Sequence, residues 1–249
     1  MSDLLVVERP REHVALVRLN RPRVRNALSK ALVAELCDVL EGFDDDGETA
    51  AAVITGDARA FAAGADIAEF AAEGPQLDEW DRLWALGLPL IAAVEGLALG
   101  GGLELALSCD LIVAAEDARL GQPEINLGVI PGAGGTQRLA RALGKALTSE
   151  IVMLGRELSG REAERLGLVN RAVPREAVVP TALEMAAALA TRAPQALRAA
   201  KRTIAKAFET PLHAGLLDER RAFFGLLAGD EAREGVAAFL EKRAPRWRS

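Results

Sequence analysis

Apolar and β-branched positions gather in short runs at residues 4–9 and 14–19, separated by Arg9-Pro10-Arg11-Glu12, and this pattern predicts a hairpin of two strands. A turn follows at Asn20-Arg21-Pro22. Asn26 then stands as the cap of a helix whose apolar face recurs at Leu28, Leu32, Leu36, Val39 and Leu40, with Gly42 as its stop. Further strand-like runs occupy Ala51–Thr55, Leu90–Val94 and Leu111–Ala114, each leading into a loop and a helical pattern. Strand-then-helix alternation of this kind predicts an α/β fold with largely parallel strands and with binding loops gathered where strands end. Beyond residue 176 the texture becomes Ala/Leu-rich and helical, punctuated at Pro194, Pro211 and Gly229, with the last strand expected within Leu168–Val173. The polar stretch Glu73–Trp80 is a candidate mobile flap.

The chain has 249 residues, half of them apolar, which fits one soluble domain with an appended subdomain. Thirty basic residues against 36 acidic ones give a net charge of −6, and no dense Lys/Arg run offers itself to a row of phosphates. Nucleic acid is therefore not the expected partner. Cys37, in a helical pattern, and Cys109, before a strand, are too few for a disulfide framework or a zinc site, so a reducing cytoplasm is expected. Met1–Leu5 lacks a secretory pattern and no run of eighteen apolar residues occurs, so neither secretion nor a membrane span is expected.

The chemistry concentrates in three turns. In Leu99-Gly100-Gly101-Gly102-Leu103-Glu104, three glycines after an apolar strand let the backbone approach a ligand, and a helix beginning there aims unpaired N–H groups at a developing oxyanion. Glu104 follows one helical turn later, about 4.5 Å along the axis. Ala62-Ala63-Gly64-Ala65-Asp66-Ile67 is a second small-residue turn, with Asp66 as a helix cap and Ala65 as a second amide donor. Pro123 sets a helix-start geometry for Glu124, and Gly128 with Pro131–Thr136 brings another helix start close behind. Each segment also fits a plainer reading: a tight junction with a surface glutamate, an ordinary cap, a charge that complements a helix dipole. His13, in a predicted strand, and His213, in a late helix, stand outside any motif; the chain has no tyrosine, so a Ser-His-Asp or two-His metal device has little material. Gly132-Ala133-Gly134-Gly135-Thr136-Gln137 fails the dinucleotide pattern at Gln137, and Gly144-Lys145-Ala146 fails the phosphate-loop pattern.

Taken in order, Asn20-Arg21-Pro22 with Asn26-Ala27-Leu28, Phe61 through Ile67, Pro89 through Val94, Ala98 through Ala106, Gly121-Gln122-Pro123-Glu124 and Pro131 through Leu139 resemble the crotonase (enoyl-CoA hydratase/isomerase) superfamily almost end to end. The resemblance implies a ββα spiral core over residues 1–190 carrying the CoA/acyl site. It also implies a helical region over 191–249 used in trimer formation, and a homotrimer or a hexamer made of two trimers.

By the family pattern, the amides of Ala65 and Gly101 hold the thioester oxygen of an acyl-CoA, Glu104 and Glu124 form the acid/base pair, and Gly132 helps hold the reacting water. Two like charges around one water leave one carboxyl protonated near neutral pH. The resemblance further places Arg23, Arg25, Ala27, Ala63, Asp66 and Ile67 against the CoA or acyl group. Trp84, Pro131, Phe239 and Lys242 join them, with Trp80 and Trp84 as acyl-tunnel candidates. Ala68 stands where many hydratases carry a lysine, which weakens a phosphate contact there. No metal and no cofactor is implied, CoA being part of the substrate. Retention of both glutamates points to reversible syn hydration of a trans-2-enoyl-CoA. Lys201 and the Arg243-Ala244-Pro245 ending lean toward hydratases that accept 2,3-dehydroadipyl-CoA. The alternatives are an isomerase using Glu124 alone and a non-catalytic acyl-CoA binder.

Overall fold

The computed structural model describes residues 3–74 and 77–247. Contacts divide the chain into two compact units, Met1–Ala187 and Ala188–Ser249.

The first unit opens with the antiparallel hairpin β1 (Leu5–Arg11) and β2 (Val14–Leu19), then α1 (Lys30–Asp45). Three β-β-α turns follow. The first is β3 (Ala51–Thr55), β4 (Ala60–Ala62), α2 (Ile67–Glu73) and α3 (Asp78–Ala85). The second is β5 (Leu90–Val94), β6 (Leu97–Leu99) and α4 (Gly101–Ser108). The third is β7 (Leu111–Ala115), β8 (Arg119–Gly121), a 3-10 turn Glu124–Leu127 and α5 (Gly135–Met153). The unit continues through β9 (Glu157–Ser159), α6 (Gly160–Arg165) and β10 (Arg171–Val173) into α7 (Val178–Ala190).

Each turn gives its first strand to one sheet and its short second strand to another. The larger sheet runs β1-β2-β3-β5-β7-β10, parallel apart from β1, and the smaller runs β4-β6-β8-β9, parallel apart from β9. Every residue of β3 and β5 is buried, as expected of parallel strands covered on both faces. Successive turns stack closely: a methyl at Gly102 would stand 2.0 Å from the Ala62 carbonyl oxygen, so only glycine lets α4 start flush against β4.

Several expectations shift by a few residues. Ser29, not Asn26, caps α1, accepting from the Leu32 amide. Asn26 is buried in a left-handed conformation (φ 55°), its Oδ1 accepting from the Arg21 amide and its Nδ2 donating to the Ala60 carbonyl. Gly42 does not stop α1, which runs on to Asp45. His13 lies in the hairpin turn (φ 59°) and not in a strand. Of the expected flap, Glu73 ends α2 and Asp78–Trp80 begin α3, while Pro75 and Gln76 lie outside the described residues.

The second unit holds α8 (Pro194–Lys206), α9 (Leu212–Leu227) and α10 (Asp230–Glu241). The expected punctuation marks all three helix starts: Pro194 is in the first turn of α8, Pro211 caps α9 and Gly229 caps α10. Arg243 forks onto Glu234 at 2.6 and 2.9 Å, and Trp247 Nε1 donates to the Thr191 carbonyl at 2.8 Å. No residue of α9 is buried, and Leu212, Leu216, Phe223, Phe224 and Leu227 are all exposed.

Candidate active site

The Asn20–Ser29 segment runs beside the turn that contains Ala65. Leu28 donates its amide to the Gly64 carbonyl at 2.8 Å, and Asp66 returns its own to the Leu28 carbonyl at 3.0 Å. These two bonds skip Ala65, whose N–H has no hydrogen-bond partner among the described residues. Asp66 caps α2 and is gripped by Arg21 Nη2 at 2.9 Å, while Arg21 Nη1 donates to the Ala27 carbonyl. The Arg21 hydrogen bond holds the Asp66 carboxyl below the usual aspartate range, against the effect of partial burial.

On the next turn, Gly100 adopts φ 52°, ψ −128°, which glycine tolerates, and α4 begins at Gly101. As a first-turn amide, the Gly101 N–H has no intrahelical acceptor, and none elsewhere among the described residues. A methyl at Gly101 would lie 3.5 Å from the Ala65 nitrogen, so the two orphan donors are neighbours at the positive end of a helix.

Glu104 is the fourth residue of α4 and only 3% exposed. Its Oε1 accepts from the Ala133 amide at 2.7 Å and the Gly135 amide at 2.8 Å, main chain of the third turn. Oε2 has no partner among the described residues. Burial pushes the Glu104 pKa up, and the two amides and the charge of Arg138 act against it.

Glu124 opens the 3-10 turn behind Pro123, and a methyl at Gly100 would meet its Oε1 at 2.7 Å. Burial first, and the nearby Glu104 charge second, push its pKa up to about 7. Gln122, fully buried two positions before it, brings its side-chain amide group within 3.0 Å of both Glu124 oxygens. The same side chain packs on Gly135, where a methyl would lie 3.0 Å from its Cδ. One buried amide thus spans from Glu124 to the main chain that anchors Glu104.

These groups face a cavity of about 780 Å³. Ala63, Asp66, Ile67 and Gly132 contribute to its wall along with Ala65, Gly101, Glu104 and Glu124. Gly132 lines the space, but the amides on Glu104 belong to Ala133 and Gly135. Arg23 and Arg25 are exposed and stand off the wall, as do Ala27 and buried Pro131. Trp80, with Val33, Phe70, Leu77, Ile125 and Val129, supplies apolar lining. Trp84 does not; its indole Nε1 donates to Ser108 Oγ at 3.0 Å and Arg138 lies over its ring. In the second unit Phe239 is 83% exposed and Lys242 ends α10 in a left-handed conformation.

Sequence reasoning missed Gln122, although it stood inside a quoted motif, and Lys30, the one cationic wall residue among those described. It also missed the Arg21–Asp66 clamp, whose members lie 45 positions apart.

Known proteins carry this architecture. The 2,3-dehydroadipyl-CoA hydratase of Escherichia coli (strain K12) is 47% identical, covering 98% of each chain. A probable enoyl-CoA hydratase, echA8, of Mycobacterium tuberculosis is 45% identical over 98% of each. The crystal structure of "Enoyl-CoA Hydrates Subunit I" from Geobacillus kaustophilus HTA426 superposes with a TM-score of 0.94 at 46% identity, covering 99% of both chains. The sequence profile described as enoyl-CoA hydratase/isomerase matches residues 9–249, and the chain belongs to that family.

Proposed function

We propose that the chain is an enoyl-CoA hydratase, a hydro-lyase, in which Glu104 and Glu124 handle the protons while the Ala65 and Gly101 amides receive the thioester oxygen. The supporting observation is the meeting of two partnerless amides with a buried and a half-buried carboxyl in one cavity, both carboxyls pushed up by burial and Glu124 to about 7.

Ionised Glu104 takes a proton from water through Oε2 as the water oxygen bonds to Cβ of the trans-2-enoyl thioester. The π electrons move toward Cα and the thioester oxygen, and the negative charge is met by the two N–H groups. Protonated Glu124 then gives its proton to Cα on the same face, yielding the 3-hydroxyacyl-CoA. Proton exchange between the two carboxyls restores the starting state. Each amide is worth about 2.7–4 kcal/mol to such an oxyanion, and it favours the enolate over the ground-state carbonyl. The scheme uses no cofactor beyond the CoA that the substrate carries. An isomerase working through Glu124 alone would leave the two-amide cradle of Glu104 without a task.

The apolar wall suits an aliphatic acyl chain. Lys30 is the candidate partner for a CoA phosphate or for a distal carboxylate, the latter being the group that 2,3-dehydroadipyl-CoA would bring. The exposed apolar face of α9 supports assembly into a homotrimer or a hexamer of two trimers. Buried Cys37, whose thiol is pushed up to about 11 by burial, and Cys109 are not joined in a disulfide, in keeping with a reducing cytoplasm.

The test is kcat/KM across a panel of enoyl-CoA thioesters, a 3-enoyl-CoA among them. Hydration of crotonyl-CoA well above 3-enoyl shifting is expected, and the reverse order would establish the isomerase. Preference for 2,3-dehydroadipyl-CoA that disappears in Lys30→Ala would assign Lys30 to the distal carboxylate.

A further inference from the structure

The apolar side of the cavity owes its shape to α3, which is tied down at three places. Its N-cap residue is Leu77, and a methyl at Gly132 would lie 3.7 Å from Leu77 Cδ1. Gly132 precedes Ala133, whose amide holds Glu104, so α3 starts beside the reacting groups. At the other end Trp84 Nε1 donates to Ser108 Oγ, which donates in turn to the Glu104 carbonyl at 2.8 Å. Between the two, Trp80 contributes to the wall while being only 5% exposed, and the Trp84 ring stands 6.5 Å from it between centroids. Val33 on α1 and Phe70 on α2 line the same space.

The third tie is Arg82, half-buried on α3 and outside the wall. Its Nε and Nη2 fork onto Glu41 of α1 at 2.9 and 2.6 Å, Nη2 also donates to Asp38 at 2.6 Å, and Nη1 donates to Glu79 at 2.6 Å. Cys37, one turn before Glu41, donates its thiol to the Glu79 carbonyl at 3.3 Å. Val33 lies one turn before Cys37, so the α1 residue that faces the cavity and those that grip α3 share one stripe of the helix. The Arg82 hydrogen bond holds the Glu41 carboxyl below the usual glutamate range. A single exposed ion pair contributes little to stability. Here, however, one guanidinium gathers three carboxylates from two helices, and without it Glu79 of α3 would face Asp38 and Glu41 of α1 as like charges across the seam.

We propose that Arg82 is a positioning residue for acyl-chain length: by tying α3 to the Val33 stripe of α1 it fixes Trp80 in place, and so sets where a long acyl tail must stop. The proposal rests on the acyl-CoA reading of the cavity. The two amides and the two carboxyls place the first three carbons of an enoyl thioester, and the carbons beyond them pass Leu77 toward Trp80. Arg82 touches no substrate atom and acts through the helix that carries it.

The experiment compares wild type, Arg82→Gln, Arg82→Lys, Glu41→Gln and Trp80→Ala, each checked by circular dichroism for the native fold. Turnover of 2-enoyl-CoA thioesters from crotonyl-CoA to 2-dodecenoyl-CoA is measured, and binding of the saturated acyl-CoAs of the same lengths is followed by calorimetry. The readout is the ratio of long to short ligand, from which a general loss of activity cancels. A single methylene in an apolar pocket is worth about tenfold or more, so Arg82→Gln should raise the decenoyl-to-crotonyl ratio of kcat/KM by about tenfold, through KM more than kcat, and Trp80→Ala by at least as much. Arg82→Lys keeps the charge without the fork and should fall between wild type and Arg82→Gln, while Glu41→Gln should move the ratio less, in the same direction. A ratio unmoved in Arg82→Gln would overturn the proposal, as would an Arg82→Lys profile equal to that of Arg82→Gln. Should Arg82→Gln fail to fold, ratios unmoved in both Arg82→Lys and Glu41→Gln would overturn it equally. Absence of hydration in the wild type would sink the hydratase reading instead, and the calorimetric ratios would still decide the role of Arg82.

Discussion

Ala133 donates its backbone N–H to Glu104 Oε1 at 2.7 Å across 29 positions of sequence, so the main chain of one turn of the spiral aims the side chain of another. With Gly135 on the same oxygen, the carboxylate cannot rotate without breaking two bonds, and Oε2 is left to meet water. Glu104→Gln should lower crotonyl-CoA hydration by about 10²–10⁴, the usual weight of one positioned acid or base. Glu124→Gln should do the same. Both should keep the native far-ultraviolet spectrum, and a near-normal rate in either would remove that residue from the reaction.

Gly100 admits no side chain. A methyl there would press on Glu124 Oε1 at 2.7 Å, in a backbone conformation (φ 52°) that other residues rarely adopt. Gly100→Ala should therefore displace the acid as well as strain the chain, costing about 1–3 kcal/mol of stability. Thermal unfolding measures the strain, and a fall in kcat larger than the stability loss explains measures the displaced acid.

Glu124 titrates near 7 in the folded protein against 4.5 for an ordinary glutamate. In the hydration direction it must enter the reaction protonated, so kcat/KM should fall as pH rises through about 7. The neutral carboxyl also favours folding. Its contribution is fully present below 4.5 and is lost as pH rises to about 7. Glu124→Gln, neutral at every pH, should thus gain about 1–2 kcal/mol on wild type between pH 4 and pH 8, after allowance for partial solvent screening. Denaturant titrations at the two pH values check the sign, and equal differences at both would contradict it.

The Arg21–Asp66 pair fixes the residue next to the Ala65 donor. Asp66→Asn keeps a helix cap but loses the ion pair, so stability should change by under about 1 kcal/mol. If the pair aims the Ala65 amide, kcat should fall about tenfold, short of the 10²–10³ that follows complete loss of one such donor. Steady-state kinetics on crotonyl-CoA reads the split, and an unchanged kcat would make the pair purely structural.

The long strands and the three glycine- or proline-marked turns were legible because apolar runs and special backbone requirements are local signals. The second strand of each turn, such as Ala60–Ala62 or Leu97–Leu99, was not, since three residues carry too little alternation to distinguish strand from loop. Asn26 read as a cap because its type favours caps, but tertiary contacts claimed its side chain for the Arg21 amide and the Ala60 carbonyl, and Ser29 took the role. Gly42 read as a stop, yet a glycine inside a packed helix costs only about 1 kcal/mol, and α1 continues past it. The partners of Glu104 were beyond reach for a simpler reason. They are main-chain groups, and main chain has no letter in the sequence. Trp80 and Trp84 looked equivalent until the course of α3 sent one to the cavity wall and the other toward Arg138.

The spiral divides its labour by winding. Ala65 comes from the first, Gly101 and Glu104 from the second, Glu124 and the anchoring amides of Ala133 and Gly135 from the third. Grafting a different stretch over residues 123–135 would rewrite where protons come from and go to while the hold on the thioester stays as it was. A scaffold partitioned this way can exchange one reaction for another by rebuilding a single loop.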